Sequence, residues 1–197
     1  MRKRTAKLLI VLIVAMAAGC KTAPPKWVER GGWAFPADRG KALYAVGIGT
    51  DPDPRLRLSM AKADARAELA RTMQTHVSEL IKDAMHKRQD HFNSDFAGSA
   101  QFYTQVGKLT TDVLIGGSTE FDTWLDKHGV KDQKGAEYVM MIVVLDDRFF
   151  KAVQQQTEQQ IRDHKDKLVK ADLETAIKEL EEELEKARRA AEPATQE

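Results

Sequence analysis

Hydrophobic positions recur along the chain with two different spacings, which predict strands and helices in a definite order. Ala42–Thr50 has an extended apolar pattern that predicts a buried strand, and the turn sequence TDPDP follows it. Asp53 is a suitable N-cap and Pro54 a suitable first helical residue. From Leu56 to about Lys87, apolar residues recur at steps of three and four, which predicts one long helix. Several of these positions hold alanine, so we expect this helix to approach a sheet closely.

The next part of the chain predicts one more helix and two more strands. A polar stretch, 89–98, breaks the helical pattern, and a second helix is then predicted from about Ser99 to Ile115. A strand follows in STEFDTWLDKHG, where Phe121 alternates with charged neighbours, and KDQKG predicts a turn. Tyr138–Leu145 is apolar throughout, which predicts a strand buried on both faces. The last two strands are expected to form an antiparallel hairpin.

Helical periodicity returns near Asp147 and continues to about Ala191. Its second half has leucine, isoleucine and alanine at heptad spacing over about two heptads, among dense Glu, Lys and Arg. Two heptads do not decide whether this stripe packs on its own domain or binds a partner helix, and both interpretations stay open. If it binds a partner, Leu180→Asp would abolish association and leave the core folded. The residues of this candidate partner surface are Leu173, Ile177, Leu180 and Leu184.

These elements predict an α+β fold with a three-stranded, largely antiparallel sheet packed by helices. The order is strand, helix, helix, strand, strand, followed by a long C-terminal helix. We expect a tether and irregular segment at 20–40, an α/β domain at 41–153, the charged helix at 154–191 and a tail at 192–197. Trp27, Trp33 and Phe35 lie in the irregular segment. They predict either an aromatic belt at a membrane or, as we favour, rings that cap the edge of the core.

The N-terminus has the pattern of an export signal. Met1–Arg4 is basic, an apolar run follows from Leu8 to about Ala18, and small residues end it. The run is too short for a bilayer span, which needs about 20 apolar residues. Two processing sites compete. Ala15–Ala17 fits an A-x-A cleavage site, and Ala17–Cys20 resembles a bacterial lipobox, although Ala17 stands where lipoboxes more often have leucine.

The cysteine count favours the lipobox. Cys20 is the only cysteine in the chain, and a lone cysteine in an exported protein is a free thiol unless it is used. We therefore predict cleavage between Gly19 and Cys20, removing 1–19 as a lipoprotein signal peptide. Cys20 would carry a diacylglycerol and an N-acyl chain such as palmitate, and two or more chains anchor stably. By resemblance to lipoprotein sorting, Lys21 after the cysteine, rather than aspartate, implies the outer membrane, at its periplasmic face or the cell surface.

Apart from the lipid on Cys20, the composition and the motifs predict no nucleic-acid or nucleotide ligand. Residues 1–19 contain four of the 31 basic residues and none of the 30 acidic ones, so the processed chain has a net charge near −3. This balance gives no reason to expect a nucleic-acid partner. GIGTDP has two glycines of a dinucleotide motif but Pro52 at the third position. We expect those glycines to make room for the long helix.

No catalytic or metal-binding group stands out either. His86 and His91 are five residues apart, which is not the spacing of zinc ligands on one helix face. Asp146 and Asp147 follow a buried strand, where we expect them to cap the next helix. We therefore expect no metal, no cofactor and no enzymatic activity. The alternative is a periplasmic small-ligand binder or enzyme that uses a cleft between helix and hairpin.

Four segments resemble one family of bacterial lipoproteins. They are Trp27 after the prolines, YAVGIG at Tyr44–Gly49, AKADARAELAR at Ala61–Arg71 and YVMMIVVLDD at Tyr138–Asp147. Together they resemble the LPP-twenty family over roughly 25–153, without the C-terminal helix. That family is similar to the N-terminal domain of flagellar assembly protein T. The resemblance implies a small α/β domain displayed on the outer membrane, and it does not imply an enzyme.

The expected function is that of a non-catalytic, membrane-anchored module of the cell envelope, with a flagellar or cell-wall role as one form of it. The lipid supplies the contact with the membrane. Other envelope proteins, or a second copy through the C-terminal helix, are the expected partners.

Overall fold

The computed structural model describes residues 23–87, 100–163 and 173–191. Over these ranges the chain is α+β, as the sequence predicts. Two 3₁₀ turns, Gly31–Ala34 and Pro36–Asp38, follow the first helix, and a third, Ile115–Gly117, precedes the second strand. The remaining elements are α1 (Lys26–Arg30), β1 (Ala42–Gly49), α2 (Pro54–His86), α3 (Ala100–Leu114), β2 (Thr119–Asp126), β3 (Ala136–Val144), α4 (Asp147–Asp163) and α5 (Leu173–Ala191).

The three strands form one antiparallel sheet in the order β1-β3-β2. The most apolar strand, β3, is therefore central and is covered on both faces, while β1 and β2 are edges. The pairing of β2 with β3 shifts between Glu120 and Asp122, which leaves Phe121 in a bulge. Phe121 consequently lies 45% exposed and packs edge-on against Phe35, with ring centroids 5.1 Å apart. The simple alternation predicted for this strand fails at that residue.

The long helix α2 covers the inner face of the sheet. Asp53 caps it by accepting a hydrogen bond from the backbone N–H of Arg55 at 2.7 Å, as predicted. Ala61 and Ala65 are fully buried against β1. A Cβ on Gly47 would collide with the backbone nitrogen of Ala65 and the carbonyl oxygen of Ala61. The glycine therefore makes room for the alanine face of the helix, as expected.

The N-terminal segment, 26–40, covers the outer face of the sheet. Trp27 and Val28 are buried against Ala136, Tyr138 and Met140. The indole Nε1 of Trp27 also donates a hydrogen bond to the Asp122 carboxylate at 2.8 Å. The segment belongs to the folded domain, and Trp27 and Phe35 pack on the sheet as favoured above. Trp33 does not, because it is 75% exposed.

The C-terminal part of the chain differs from the single long helix expected from its periodicity. Gln154 donates a hydrogen bond to Glu181 at 2.7 Å, and Arg188 donates one to Asp147 at 2.8 Å. One straight helix would hold Asp147 and Arg188 about 60 Å apart, at 1.5 Å of rise per residue. α4 and α5 are therefore two antiparallel helices. Residues 164–172, between them, lie outside the described part of the chain.

The apolar stripe of α5 packs on its own domain. Ile177, Leu180 and Leu184 are all at least 95% buried in the main core, and α5 contacts both α2 and α4. The interpretation of this stripe as a partner surface is therefore corrected: the partner helix is the chain's own α4, with α2 beside it. Leu173 begins α5, but its side chain is outside what the structure describes, as are the tail 192–197 and the signal region 1–19.

Candidate binding cleft at the free edge of β1

A cleft of about 690 Å³ lies along the edge of β1 that does not face β3. Consecutive residues of the strand, 42–46, line it, so the backbone edge itself forms the floor. One wall is α2, through Glu68, Thr72 and His76. The other wall is the N-terminal segment between Val28 and Gly40. Most of the lining is apolar.

The pairing of β1 with β3 determines which backbone groups point into this cleft. The N–H of Leu145 donates to the carbonyl of Lys41 at 2.8 Å, and Lys41 continues the strand register by one residue. Odd-numbered residues of β1 therefore bond to β3, because hydrogen-bonded and free pairs alternate in an antiparallel ladder. The N–H and C=O groups of Tyr44 and Val46 point the other way. Neither pair of groups is hydrogen-bonded to another described residue.

One end of this edge is closed by a side chain of α2. The N–H of Ile48 donates to the Asp64 carboxylate at 3.0 Å. Asp64 begins a row on α2, at steps of four, that continues through Glu68, Thr72 and His76 beside the edge. Ala61 and Ala65 form the adjacent row and bring the helix onto the strand. The same helix therefore covers the inner face of β1 and forms one wall of the cleft.

The α2 wall carries little net charge. Glu68 is paired with Arg71 at 2.8 Å on the exposed side of the helix. Burial lowers the pKa of His76, and the nearby Glu79 opposes this effect. His76 also lies against the ring of Phe149, with centroids 6.1 Å apart. Because its ordinary pKa is already below neutrality, this imidazole is uncharged at neutral pH.

The N-terminal wall is basic and aromatic. The guanidinium of Arg39 lies 4.6 Å from the ring centroid of the exposed Trp33, in a cation–π contact. Arg30 is exposed and forms no ion pair with another described residue. Asp38 accepts a hydrogen bond from the Tyr44 hydroxyl at 2.9 Å. This wall therefore presents two guanidinium groups, neither in an ion pair with a described carboxylate, together with the single carboxylate of Asp38.

The polar groups of the cleft include one tyrosine hydroxyl, a few charged side chains and the main-chain edge of β1. Burial and the Asp38 hydrogen bond together raise the pKa of Tyr44 to about 12. Tyr44 is therefore a weaker acid than a free tyrosine and stays protonated. Over the described ranges, no group of three His, Cys, Asp or Glu side chains is placed to hold a metal ion. The free main-chain groups on the floor, in contrast, suit a ligand with its own amide groups.

The candidate residues identified from the sequence lie in different parts of the structure and do not form one site. Cys20, Gly19 and His91 lie outside the described residues, and His86 is exposed at the end of α2. Asp146 caps α4 as expected, since its carboxylate accepts from the N–H of Phe149 at 3.1 Å. Asp147 instead pairs with Arg188. Within the parts of the chain that are described, no helix is long and apolar enough to cross a bilayer.

Sequence reasoning did not find the cleft. Its residues come from three separate segments, and its floor is backbone, which has no side-chain signature. A local signal exists in α2, where Asp64, Glu68, Thr72 and His76 form a polar row directly beside the alanine row. However, this row identifies the side of α2 that borders the free edge of β1 only when the strand order is already known.

No family model, curated protein or solved structure matches the chain. The resemblance to the LPP-twenty family therefore stays an expectation from the four quoted segments.

Proposed function

We propose that this chain is a lipid-anchored envelope lipoprotein whose domain is a non-catalytic binding module. The observation that carries the proposal is the free edge of β1, which lies at the floor of an apolar cleft. A free strand edge is a site for main-chain recognition, and proteins usually cover or charge such edges when they have no use for them. Here Asp64 closes only the Ile48 end.

The N-terminal sequence supports the anchor. Cys20 precedes the first residue of α1, Lys26, by six positions, and six extended residues span only about 20 Å. A diacylglycerol on Cys20 would therefore keep the domain next to the lipid headgroups. The N-terminal wall of the cleft, which follows directly, would then lie close to the membrane surface. The lipoprotein resemblance favours the outer membrane, and a flagellar or cell-wall setting is one form of this proposal.

A second candidate function uses the same cleft for a small molecule. A volume of about 690 Å³ lies within the range of small-ligand sites, about 300 to 1,000 Å³. The cleft lies between β1, α2 and the N-terminal segment, and not between a helix and the β2–β3 hairpin, as the alternative from the sequence expected. We favour a macromolecular ligand, because the floor offers strand-edge amides and its Arg30–Arg39 side is open to solvent.

The anchor is tested by acyl labelling in cells. The wild-type chain and Cys20→Ser are expressed with an alkyne-tagged fatty acid, and the envelope is fractionated by density. We expect label and outer-membrane fractionation for the wild type, and neither for Cys20→Ser. Lys21→Asp is the matched control, since it keeps the acceptor thiol and should keep the label while moving to the inner membrane. Equal labelling of wild type and Cys20→Ser would contradict the proposal.

A further inference from the structure

We propose that the cleft binds an extended acidic peptide segment of a partner protein, which adds to β1 as a fourth strand. This inference rests on the proposed binding function and names its ligand class. It begins from the main-chain groups of Tyr44 and Val46. The N–H and C=O groups of these two residues face the cleft at a spacing of about 7 Å, the repeat of two strand residues. An extended peptide presents its own N–H and C=O groups at the same repeat.

The edge offers room for a short strand only. At one end the Asp64 side chain occupies the N–H of Ile48. At the other end the N–H of Lys41 donates to the carbonyl of Asp38 at 2.9 Å, and the chain turns into the N-terminal segment at Gly40. A segment of about four to five residues fits between these limits, because each strand residue advances about 3.3 Å.

The two walls would contact alternate side chains of the bound segment. Successive side chains of a strand point to opposite faces, so one set would face α2 and the other the N-terminal segment. The α2 wall offers Thr72 and the uncharged His76, which suit apolar or hydroxyl side chains. The opposite wall offers Arg30 and Arg39, which form no ion pair with a described residue.

Charge complementarity on that wall selects the ligand. A carboxylate side chain can take paired hydrogen bonds from a guanidinium, which makes arginine well suited to acidic ligands. Glu68 on the other wall is already paired with Arg71. Asp38 keeps its charge while it accepts from the Tyr44 hydroxyl, so the N-terminal wall carries two cations against one anion. The expected ligand is therefore an extended stretch with Asp or Glu at one of two alternating positions.

The proposal is tested with the full-length chain, purified in detergent from whole cells whether or not it carries acyl chains. A phage-displayed library of random decapeptides is selected on it, and the consensus peptide is synthesised with a fluorophore. Binding is measured by fluorescence anisotropy. We expect a consensus enriched in acidic residues. Backbone N-methylation, moved one residue at a time along the peptide, should weaken binding about tenfold at every second position, as one lost hydrogen bond predicts.

Two protein variants test the edge and the charge. Val46→Pro removes the outward N–H while leaving the ladder to β3, and should weaken binding at least tenfold. Val46→Thr is the matched control with the N–H retained. Arg39→Glu should abolish the acidic preference, whereas Arg66→Glu, on an exposed residue away from the cleft, should not. The N-methyl series keeps the test valid even where Val46→Pro fails to fold.

The overturning results are distinct from those of the anchor experiment. Recovery of no consensus, or a consensus whose affinity ignores N-methylation, overturns strand addition. Formation of dimers that Val46→Pro abolishes, with no peptide selected, overturns it in favour of a second copy on this edge. Each of these results leaves the acyl label on Cys20 untouched, and loss of that label leaves the peptide result untouched.

Discussion

The carboxylate of Asp64 accepts a hydrogen bond from the backbone N–H of Ile48, 3.0 Å away and sixteen residues earlier in the chain. This contact ends the free edge of β1 on one side. Two residues earlier, the main-chain groups of Val46 have no such cover from the described residues. The difference between the covered Ile48 N–H and the uncovered groups of Val46 marks where the free part of the β1 edge ends.

Removing this cover should lengthen the binding edge. Asp64→Ala frees the Ile48 N–H, so the selected peptide, extended by two residues, should bind about three to ten times more tightly. Asp64→Asn keeps an acceptor oxygen and is the control. Fluorescence anisotropy gives both affinities. If the two variants bind alike, Asp64 does not limit the edge.

Close packing of β1 on α2 makes Gly47 intolerant of any side chain. Gly47→Ala places a methyl group against the backbone of Ala61 and Ala65, which cannot move without shifting the helix. We expect a loss of about 3 kcal/mol in the free energy of unfolding and a fall of about 10 °C in Tm. Gly117→Ala, where nothing lies within 4 Å of the added carbon, should change Tm little. Calorimetry of both variants decides the matter, and equal Tm values would contradict this packing.

The buried carboxylate of Asp126 organises the loop between β2 and β3. It accepts backbone hydrogen bonds from Val130 and Lys131, both at 2.8 Å, and a longer one from His128. Burial alone would raise the pKa of Asp126, but these hydrogen bonds outweigh it and lower the pKa. The ionised carboxylate is therefore favoured more in the folded state than in the unfolded state.

This pKa shift predicts a pH-dependent effect of Asp126→Asn. A lowered pKa in the folded state stabilises the protein above the unfolded-state pKa, and that contribution is lost as the pH falls through the folded-state value. Asp126→Asn should lower Tm at pH 7, and the gap from wild type should narrow below about pH 4. Asp112→Asn, at an exposed position of α3, controls for loss of an acidic charge. A Tm gap that stays constant from pH 7 to 3 would rule out the charge as the cause.

The docking of α5 predicts that its stripe stabilises the chain rather than recruiting a partner. Leu180 is only 3% exposed, so Leu180→Ala should cost about 3 kcal/mol and speed hydrogen exchange throughout α5. Glu182→Ala, on an exposed position of the same helix, should do neither. A Leu180→Ala protein with unchanged stability and lost self-association would restore the partner interpretation.

Most elements of the fold could be predicted from local sequence patterns. The cap at Asp53, the alanine row of α2 and the uninterrupted apolar run of β3 each specify an element from neighbouring residues, and all three elements form as predicted. The stripe of α5 does not work this way, since a heptad pattern is the same whether the facing helix belongs to the same chain or another. The bulge at Phe121 could not be predicted either, because it depends on the register of β2 with β3.

The cleft could not be derived in the same manner. Its existence follows from the sheet order, which leaves β1 at an edge, and from the N-terminal segment crossing the outer face. Both are long-range relationships. Trp33 was interpreted together with Trp27 and Phe35, yet only the fold separates the exposed ring from the two that pack.

The most direct measurement is site-specific photocrosslinking in intact cells. A benzophenone amino acid replaces Thr72, which lines the cleft, or Ala67, an exposed residue of the same helix that does not. Both chains keep Cys20, and crosslinked products are identified by mass spectrometry. A discrete envelope protein captured from position 72 and not from position 67, through an acidic segment, is the predicted result. Identical products from both positions, or none from position 72, would contradict the assignment of this cleft as the binding site.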